Sequence, residues 1–251
     1  MRVKAIVEYL GTGYAGWQAQ LDRPTVQTAL ENAIRIATGA TGRIQGAGRT
    51  DSGVHALGQV AAFDVPDGTD LYKLRGALNG LTSSDLSVVS IEEAPPEFDA
   101  RRDARVRTYR YTIVTGRPAA PLLFGRSWHV YPPLDFDWLS RLAEPITGTH
   151  DFSAFRAADC ESESTKRDVF TSQWRRDGSL EVGRGDVFVY EIAANAFLKH
   201  MVRVLVGSMV DVVLGNVRES VFRRLIEKGG RRAEAGRTAP PQGLVLYRVD
   251  Y

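Results

Sequence analysis

Residues 46–56 read Gly-Ala-Gly-Arg-Thr-Asp-Ser-Gly-Val-His-Ala, and a strand-like apolar run flanks this segment on each side. Glycine adopts backbone conformations that other residues resist, so the segment is predicted to be a turn that presents side chains at a sheet edge. Asp51 lies at its centre, two residues after Arg49 and four before His55. An aspartate in such a turn either forms an Asx-type turn or is a reactive group, and the segment alone leaves both interpretations open.

The composition is that of an ordinary soluble globular protein. Hydrophobic residues make up 43% and charged residues 25% of 251 positions, which suits one large domain or two smaller lobes. No uncharged apolar run approaches the roughly 18 residues of a membrane span, and Arg2 and Lys4 open a strand-like pattern unlike a secretory signal. Cys160 is the only cysteine, which excludes an internal disulfide and a multi-cysteine zinc site. A cytoplasmic location is therefore expected.

The distribution of positive charge is more informative than the net charge of +2. Residues 101–110 contain five arginines and one aspartate, and residues 218–237 contain seven cations and three glutamates. Only five of the 32 Lys and Arg residues are lysine, and the rest are arginine. This excess of arginine fits either high-GC coding or bidentate contacts to phosphates. The two basic stretches are either solvated faces or the contact surface of a polyanion partner.

Hydrophobic periodicity and turn residues predict an α+β fold. Strands are predicted at residues 2–10, 58–65, 86–91, 105–114, 169–182, 188–192 and 244–251. Helices are predicted between Thr25 and Gly39 and at residues 71–81, 136–146, 196–214 and 219–227. Asp177-Gly178 is a signal for a two-residue hairpin turn, and the polar residues 156–168 are interpreted as a flexible loop.

The order of these elements indicates two lobes on a shared or continuous, mostly antiparallel sheet. The predicted lobes are residues 1–105 and 106–251. Residues 116–125 carry two prolines and have the composition of a lobe junction.

Arg203 lies in a run, Met201 to Leu214, in which nearly every residue is apolar. A guanidinium buried in such a helix needs partners, because an unpaired buried charge is very costly. Either Arg203 reaches the surface or pairs with nearby Asp211, or it pairs with an active-site acid and keeps that acid ionised. The candidate acid is Asp51.

Strand alternation between residues 105 and 114 places Arg107, Tyr109 and Tyr111 on one face and Arg110 on the other. Arginines interleaved with tyrosines are typical of a surface on which a base stacks while phosphates are held. Core tyrosines with arginines at the rim are the alternative interpretation.

Several catalytic patterns are absent from the sequence. There is no dinucleotide fingerprint or phosphate-binding P-loop, and the four histidines lack metal-ligand spacing. Cys160 has no nearby histidine, and Ser52 has no nucleophile-elbow context. What remains is a reaction without a cofactor or metal, led by a single carboxylate.

Five segments together resemble the bacterial tRNA pseudouridine synthase A family, in the order of that family and across almost the whole chain. They are Tyr14–Gln18, Gly48–Ala56, Arg107–Tyr111, Ala194–Arg203 and Ala239–Leu246. The resemblance implies a pseudouridine synthase fold with a central active-site cleft. It further implies an isomerase that converts uridine to pseudouridine at positions 38, 39 and 40 of the tRNA anticodon stem-loop. The family acts as a homodimer, with one tRNA stem bridging both subunits, and uses no cofactor.

The resemblance also assigns residue roles. Asp51 would be the essential carboxylate, Arg203 its ion-pair partner, Tyr109 the ring that stacks on the target uracil, and Arg49, His55 and Leu244 further substrate contacts. The family usually has aspartate where this chain has Leu10, which puts an RNA or structural contact from that site in doubt. A non-catalytic RNA-binding or RNA-folding module, or a pseudouridine synthase acting on other RNA sites, is the alternative function.

Overall fold

The computed structural model describes residues 1–116, 120–178 and 185–251. Within these ranges ten strands form: β1 (Arg2–Tyr9), β2 (Gln45–Gly46), β3 (His55–Asp64), β4 (Leu86–Glu93), β5 (Val106–Thr115), β6 (Trp128–Val130), β7 (Gly148–Asp151), β8 (Lys166–Arg176), β9 (Val187–Ala194) and β10 (Leu244–Asp250). The same ranges contain five α-helices: α1 (Val26–Thr38), α2 (Leu71–Leu81), α3 (Phe136–Ala143), α4 (Met201–Val213) and α5 (Glu219–Lys228). None of these helices is long and apolar enough to cross a membrane.

Contacts group the chain into two compact units. The first unit is Met1–Arg105 with Val245–Tyr251, and the second is Val106–Leu244. Most of β10 therefore belongs with the first unit, although it falls within the second predicted lobe, 106–251. The division into lobes 1–105 and 106–251 stays a prediction about folding domains.

In the first unit, β1 pairs antiparallel with β3 on one side and with β4 on the other. Strand β10 joins β3 in parallel, and the short β2 pairs antiparallel with β3. The inward residues of β1 are the alternate ones, as predicted: Val3, Ala5, Val7 and Tyr9. Helix α1 begins and ends where the sequence indicates, because the Thr25 hydroxyl caps the Thr28 N–H and Gly39 adopts a left-handed conformation.

In the second unit, β5 pairs antiparallel with β9, β9 with β8, and β8 with β7. Strand β6 pairs in parallel with β5. Helix α4 is buried over almost its whole circumference, as its apolar sequence predicts, and it packs against α3 and α5. The α+β class and the predominantly antiparallel pairing are thus confirmed.

Three local predictions in the second unit are wrong: the two-residue turn after β8, the extent of the loop before β8, and the start of α4. The turn between β8 and β9 is not a two-residue turn at Asp177-Gly178, because Arg176 is paired with Phe188 and the Asp177 N–H donates to the Val187 carbonyl. Residues 179–184, which include part of the predicted strand, lie outside the described residues, as do residues 117–119 of the predicted junction. Strand β8 begins at Lys166, inside the predicted loop 156–168.

The helix predicted from residue 196 begins instead at Met201. His200 precedes it with φ of 65°, a left-handed conformation that α-helical backbone cannot contain.

Candidate active site

Asp51 lies in the loop of residues 47–54 that connects β2 to β3, called here the Asp51 loop. The Val54 N–H donates to the Asp51 carbonyl at 3.1 Å, and Gly53 has φ of 78°, which closes a tight turn. That bond uses the backbone carbonyl that every residue carries, so the turn does not by itself require a carboxylate at position 51. The Asp51 side chain is half-buried, and Arg49 beside it is exposed.

The loop that follows β1 packs directly against the Asp51 loop. The Trp17 N–H donates to the Thr50 carbonyl at 3.1 Å, and the Ser52 hydroxyl donates to the Tyr14 carbonyl at 3.3 Å. A Cβ on Gly16 would lie 2.6 Å from the Thr50 carbonyl oxygen, and its φ is 99°, so only glycine fits there. Two of the recognised sequence segments therefore form one packed pair of loops.

His55 and Leu10 lie at the base of this pair. His55 is only 4% exposed, and its Nδ1 accepts the Gly11 N–H at 2.9 Å. This contact links the start of β3 to the loop after β1, and the predicted substrate contact of His55 stays a prediction. Leu10 is 41% exposed, and its N–H donates to the Asp85 carbonyl at 2.8 Å. Because that contact is made by the backbone, it does not depend on the side chain at position 10.

Sequence reasoning missed two buried polar residues at the site, Thr50 in the Asp51 loop and Gln59 on β3. Gln59 interrupts an otherwise apolar stretch of β3 at a position paired with the inward residue Val7. A polar side chain at a predicted core position was the signal that could have identified it.

In the second unit, β5 carries Tyr109 next to two arginines that have protein partners. The Tyr109 ring is buried and makes a T-shaped contact with Phe197, with ring centroids 5.0 Å apart. Arg107 Nη1 donates to the Asn195 carbonyl at 2.8 Å, and Arg110 Nε donates to Glu191 at 2.7 Å. Both arginines are thus held against β9 or the residue that follows it.

Arg203 is half-buried on α4 and is fastened to the segment that leads into β10. Its Nε donates to the Ala239 carbonyl at 2.9 Å, and the Ala239 N–H donates to the Arg203 carbonyl at 3.0 Å. The neighbouring Tyr111 hydroxyl donates to the Pro240 carbonyl at 2.7 Å. Burial raises the pKa of the Tyr111 phenol, and the positive charge of Arg203 opposes that shift.

Asp211, an alternative partner considered for Arg203, is engaged by Arg237. Arg237 Nε donates to Asp211 Oδ1 at 2.7 Å, and the Arg237 backbone N–H donates to Oδ2 at 2.8 Å. Burial acts to raise the pKa of Asp211, but these hydrogen bonds prevail and the pKa is lowered. The Asp211 carboxylate therefore fixes the Arg237 segment onto α4.

Leu244 is buried and opens β10. A Cβ on the preceding Gly243 would lie 2.6 Å from the Tyr111 ring, so the chain enters β10 in close contact with that tyrosine. The predicted site residues therefore fall into two groups. Asp51, Arg49 and His55 lie in or beside one loop of the first unit, whereas Tyr109, Arg203 and Leu244 belong to the second unit. The Asp51–Arg203 ion pair joins residues of different units and stays a prediction.

A groove of about 890 Å³ in the second unit is lined by part of the second basic stretch. Arg218, Arg232 and Arg237 line it, together with Asp211 and Glu234. Arg232 Nη1 donates to the Gly236 carbonyl and Nη2 to the Thr238 hydroxyl, both at 2.9 Å, which fixes its guanidinium at the groove. The described residues contain no group of three or more His, Cys, Asp or Glu side chains placed to hold a metal ion.

Comparison with known proteins gives consistent matches over the whole chain. The family described as "tRNA pseudouridine synthase" matches residues 5–103 and 142–251. The chain is 41% identical over 250 residues to tRNA pseudouridine synthase A of Myxococcus xanthus, covering 100% of this chain and 92% of that protein. It is 41% identical over 250 residues to the protein of the same name from Acetivibrio thermocellus, covering 99% of each. With that of Geotalea uraniireducens it shares 37% identity over 250 residues, covering 100% of this chain and 99% of the relative.

Proposed function

Because the chain belongs to the tRNA pseudouridine synthase family, we propose that it converts uridine to pseudouridine at positions 38, 39 and 40 of the tRNA anticodon stem-loop. The observation that carries this proposal is the extent of the family match, which includes both the Asp51 loop and Arg203 on α4. In the reaction the C1′–N1 bond of uridine breaks, the uracil turns, and C1′ bonds to C5 while the C5 proton is lost and N1 is protonated. The product is an isomer, so no oxidant or reductant is consumed.

We assign the catalytic carboxylate to Asp51. It attacks the nucleotide as a nucleophile or takes a proton as a base, and either role needs a carboxylate held at a fixed position against the flipped nucleotide. The turn at residues 51–54 and the packed loop after β1 support this assignment, because they hold the backbone of Asp51 on both sides.

We assign to Arg203 the ion pair with Asp51. A guanidinium on a mostly buried helix is stabilised by a carboxylate partner, and it orients that carboxylate in return. The hydrogen bond from Arg203 Nε to Ala239 supports the assignment, because it fixes the direction of the guanidinium plane.

Tyr109, Leu244 and Arg49 are proposed to receive the substrate. A base in a stem must leave the stack before an enzyme can reach its glycosidic bond, and stacking on an aromatic ring stabilises the flipped base. The contact of Tyr109 with Phe197 supports this role, since it holds the ring in one orientation before RNA binds. Leu244 would line the uracil pocket, and the exposed Arg49 would contact the flipped nucleotide.

The arginine-lined groove of the second unit is proposed to contact phosphates of the tRNA backbone. Arg218 and Arg232 bring two positive charges to it, while the charge of Arg237 is balanced by Asp211. We further propose that the active form is a cytoplasmic homodimer in which one tRNA stem contacts both subunits. Light scattering should then give twice the 27.7 kDa mass of the chain, and a monomer mass at working concentrations would contradict the dimer.

The function is tested by incubating the protein with an unmodified tRNA transcript and mapping pseudouridine by carbodiimide treatment and primer extension. Stops at positions 38 to 40 are expected. Stops only at other positions would identify a synthase with different RNA sites. Binding without any stop on a full set of tRNAs would identify a non-catalytic RNA-binding module and contradict the proposal.

A further inference from the structure

Three buried polar side chains lie in or next to the Asp51 loop. Tyr9 on β1 is 3% exposed, Thr50 in the loop is 6% exposed, and Gln59 on β3 is 0% exposed. Burying a polar group costs free energy unless the group forms hydrogen bonds. Such a cluster is therefore found in a core only when its members are hydrogen-bonded.

The three residues are paired with one another and with the loop. The Tyr9 and Thr50 hydroxyls share a hydrogen bond of 2.8 Å. Gln59 Nε2 donates to the Gly48 carbonyl at 2.8 Å and lies 3.5 Å from the Tyr9 hydroxyl. Burial raises the pKa of Tyr9 to about 12, so its hydroxyl keeps its proton and remains a hydrogen-bond donor over the whole physiological range.

These contacts fasten the loop immediately before Asp51. Gly48 is tied to β3 through Gln59, and Thr50 is tied to β1 through Tyr9. The Thr50 carbonyl also accepts the Trp17 N–H, so both oxygen atoms of Thr50 are held. Since Asp51 is the next residue, its Cα position follows from the position of Thr50.

We propose that Tyr9, Thr50 and Gln59 are positioning residues, which set the rate of the chemical step by fixing the Asp51 carboxylate against the nucleotide. This inference rests on the proposed function of Asp51. Because all three side chains are buried, we assign them a positioning role and not a contact with substrate. A displacement of a catalytic group by about 1 Å can cost about 100-fold in rate, whereas RNA affinity depends on residues at the surface.

The decisive measurement compares Tyr9→Phe and Thr50→Val with Thr50→Ser in single-turnover kinetics and tRNA binding. Tyr9→Phe and Thr50→Val each remove the 2.8 Å bond and should lower the rate of pseudouridine formation about 10- to 100-fold, with the Kd for tRNA unchanged. Thr50→Ser keeps the hydroxyl and should restore most of the rate. The rate of the double variant Tyr9→Phe/Thr50→Val should be no lower than that of the slower single variant, since both substitutions remove the same hydrogen bond.

Tyr190→Phe is the matched control. Tyr190 is fully buried in the second unit, and its hydroxyl shares a 2.7 Å hydrogen bond with Ser172. Tyr190→Phe therefore removes a buried hydrogen bond like that of Tyr9, but in the unit that does not contain Asp51. Its rate should equal that of the wild type. An equal loss in Tyr190→Phe, an unchanged rate in Tyr9→Phe and Thr50→Val, or a weakened Kd with an unchanged rate would each overturn the positioning role.

Amide hydrogen exchange separates this proposal from the proposed function. Exchange in residues 47–54 should be faster in Tyr9→Phe than in the wild type or in Tyr190→Phe, whether or not the protein modifies tRNA. Unchanged exchange would overturn the anchoring itself, whereas a wild-type protein that modifies no tRNA would count against the proposed function alone.

Discussion

Asp51 is held by its backbone from several directions at once. Trp17 binds the preceding carbonyl, Val54 closes the turn at the Asp51 carbonyl, and the Ala47 N–H at the start of the loop donates to Val60. Backbone hydrogen bonds of this kind need no particular side chain. These bonds do not use the Asp51 side chain, and a single carboxylate at position 51 is what the proposed isomerisation requires.

Tyr109 tests the substrate side of the account at the level of one residue. If the ring acts by stacking, Tyr109→Phe should keep the rate within about threefold of the wild type, because the stacking face is unchanged. Tyr109→Leu should lower it by about 10- to 100-fold, because base–aromatic stacking contributes about 1–3 kcal/mol. Single-turnover kinetics on one tRNA transcript measure both variants. A large loss of rate in Tyr109→Phe would show that the hydroxyl, and not stacking of the ring, is what the reaction needs.

At the scale of elements, replacing two glycines by alanine should have opposite effects on the stability of the protein. A Cβ on Gly243 would lie 2.6 Å from the Tyr111 ring, so Gly243→Ala should lower the free energy of unfolding by about 1–3 kcal/mol. Gly76 lies inside α2, and a Cβ added there would meet no atom outside the helix backbone within 4 Å. Gly76→Ala should therefore raise stability by about 0.5–1 kcal/mol, the usual helix preference of alanine over glycine.

Thermal and urea unfolding of the two variants give the comparison. A Gly243→Ala protein as stable as the wild type would show that the chain can move away from Tyr111. In that case the entry of β10 would not be fixed by this contact.

Elements with a clear period were predictable from the sequence, and so were the ends marked by a capping residue, whereas the other ends were not. The alternation of β1 and the Thr25 cap of α1 are local signals, and both correspond to the structure. The start of α4 carries no such local signal: the helix begins only after His200, which adopts φ of 65°. The Asp177-Gly178 signal failed because Arg176 is paired with Phe188 and the Asp177 N–H donates to the Val187 carbonyl, so Asp177 still lies beside β9.

The candidate site divides in the same way. The motif around Asp51 and the charge within α4 made Asp51 and Arg203 candidates, and the resemblance to the family then assigned their roles, which stay predictions. Thr50 and Gln59 were missed because their importance depends on Tyr9 and Gly48, which approach them only in the folded first unit.

At the scale of the whole molecule, the proposed partner is a polyanion, although the net charge is only +2. The groove arginines concentrate positive charge in one part of the second unit. If Arg218 contacts one phosphate, Arg218→Ala should weaken tRNA binding and reduce the slope of log K against log salt by about 1. The substitution leaves the Arg218 carbonyl, which accepts the Phe222 N–H at the start of α5.

Binding measured between about 50 and 200 mM salt gives this slope. Lys73→Ala is the control, because Lys73 is exposed on α2, outside both basic stretches, and is paired with Asp70. Equal slopes for Arg218→Ala and the wild type would place the phosphate contacts elsewhere.

The most direct test of the central claim uses tRNA labelled with tritium at C5 of uridine, because the proposed isomerisation releases that hydrogen to water. The wild type should release tritium from positions 38 to 40. Asp51→Asn keeps the size of the side chain but removes the carboxylate, and it should release none above background while binding tRNA with an unchanged Kd. Tritium release by Asp51→Asn near the wild-type rate would contradict the account.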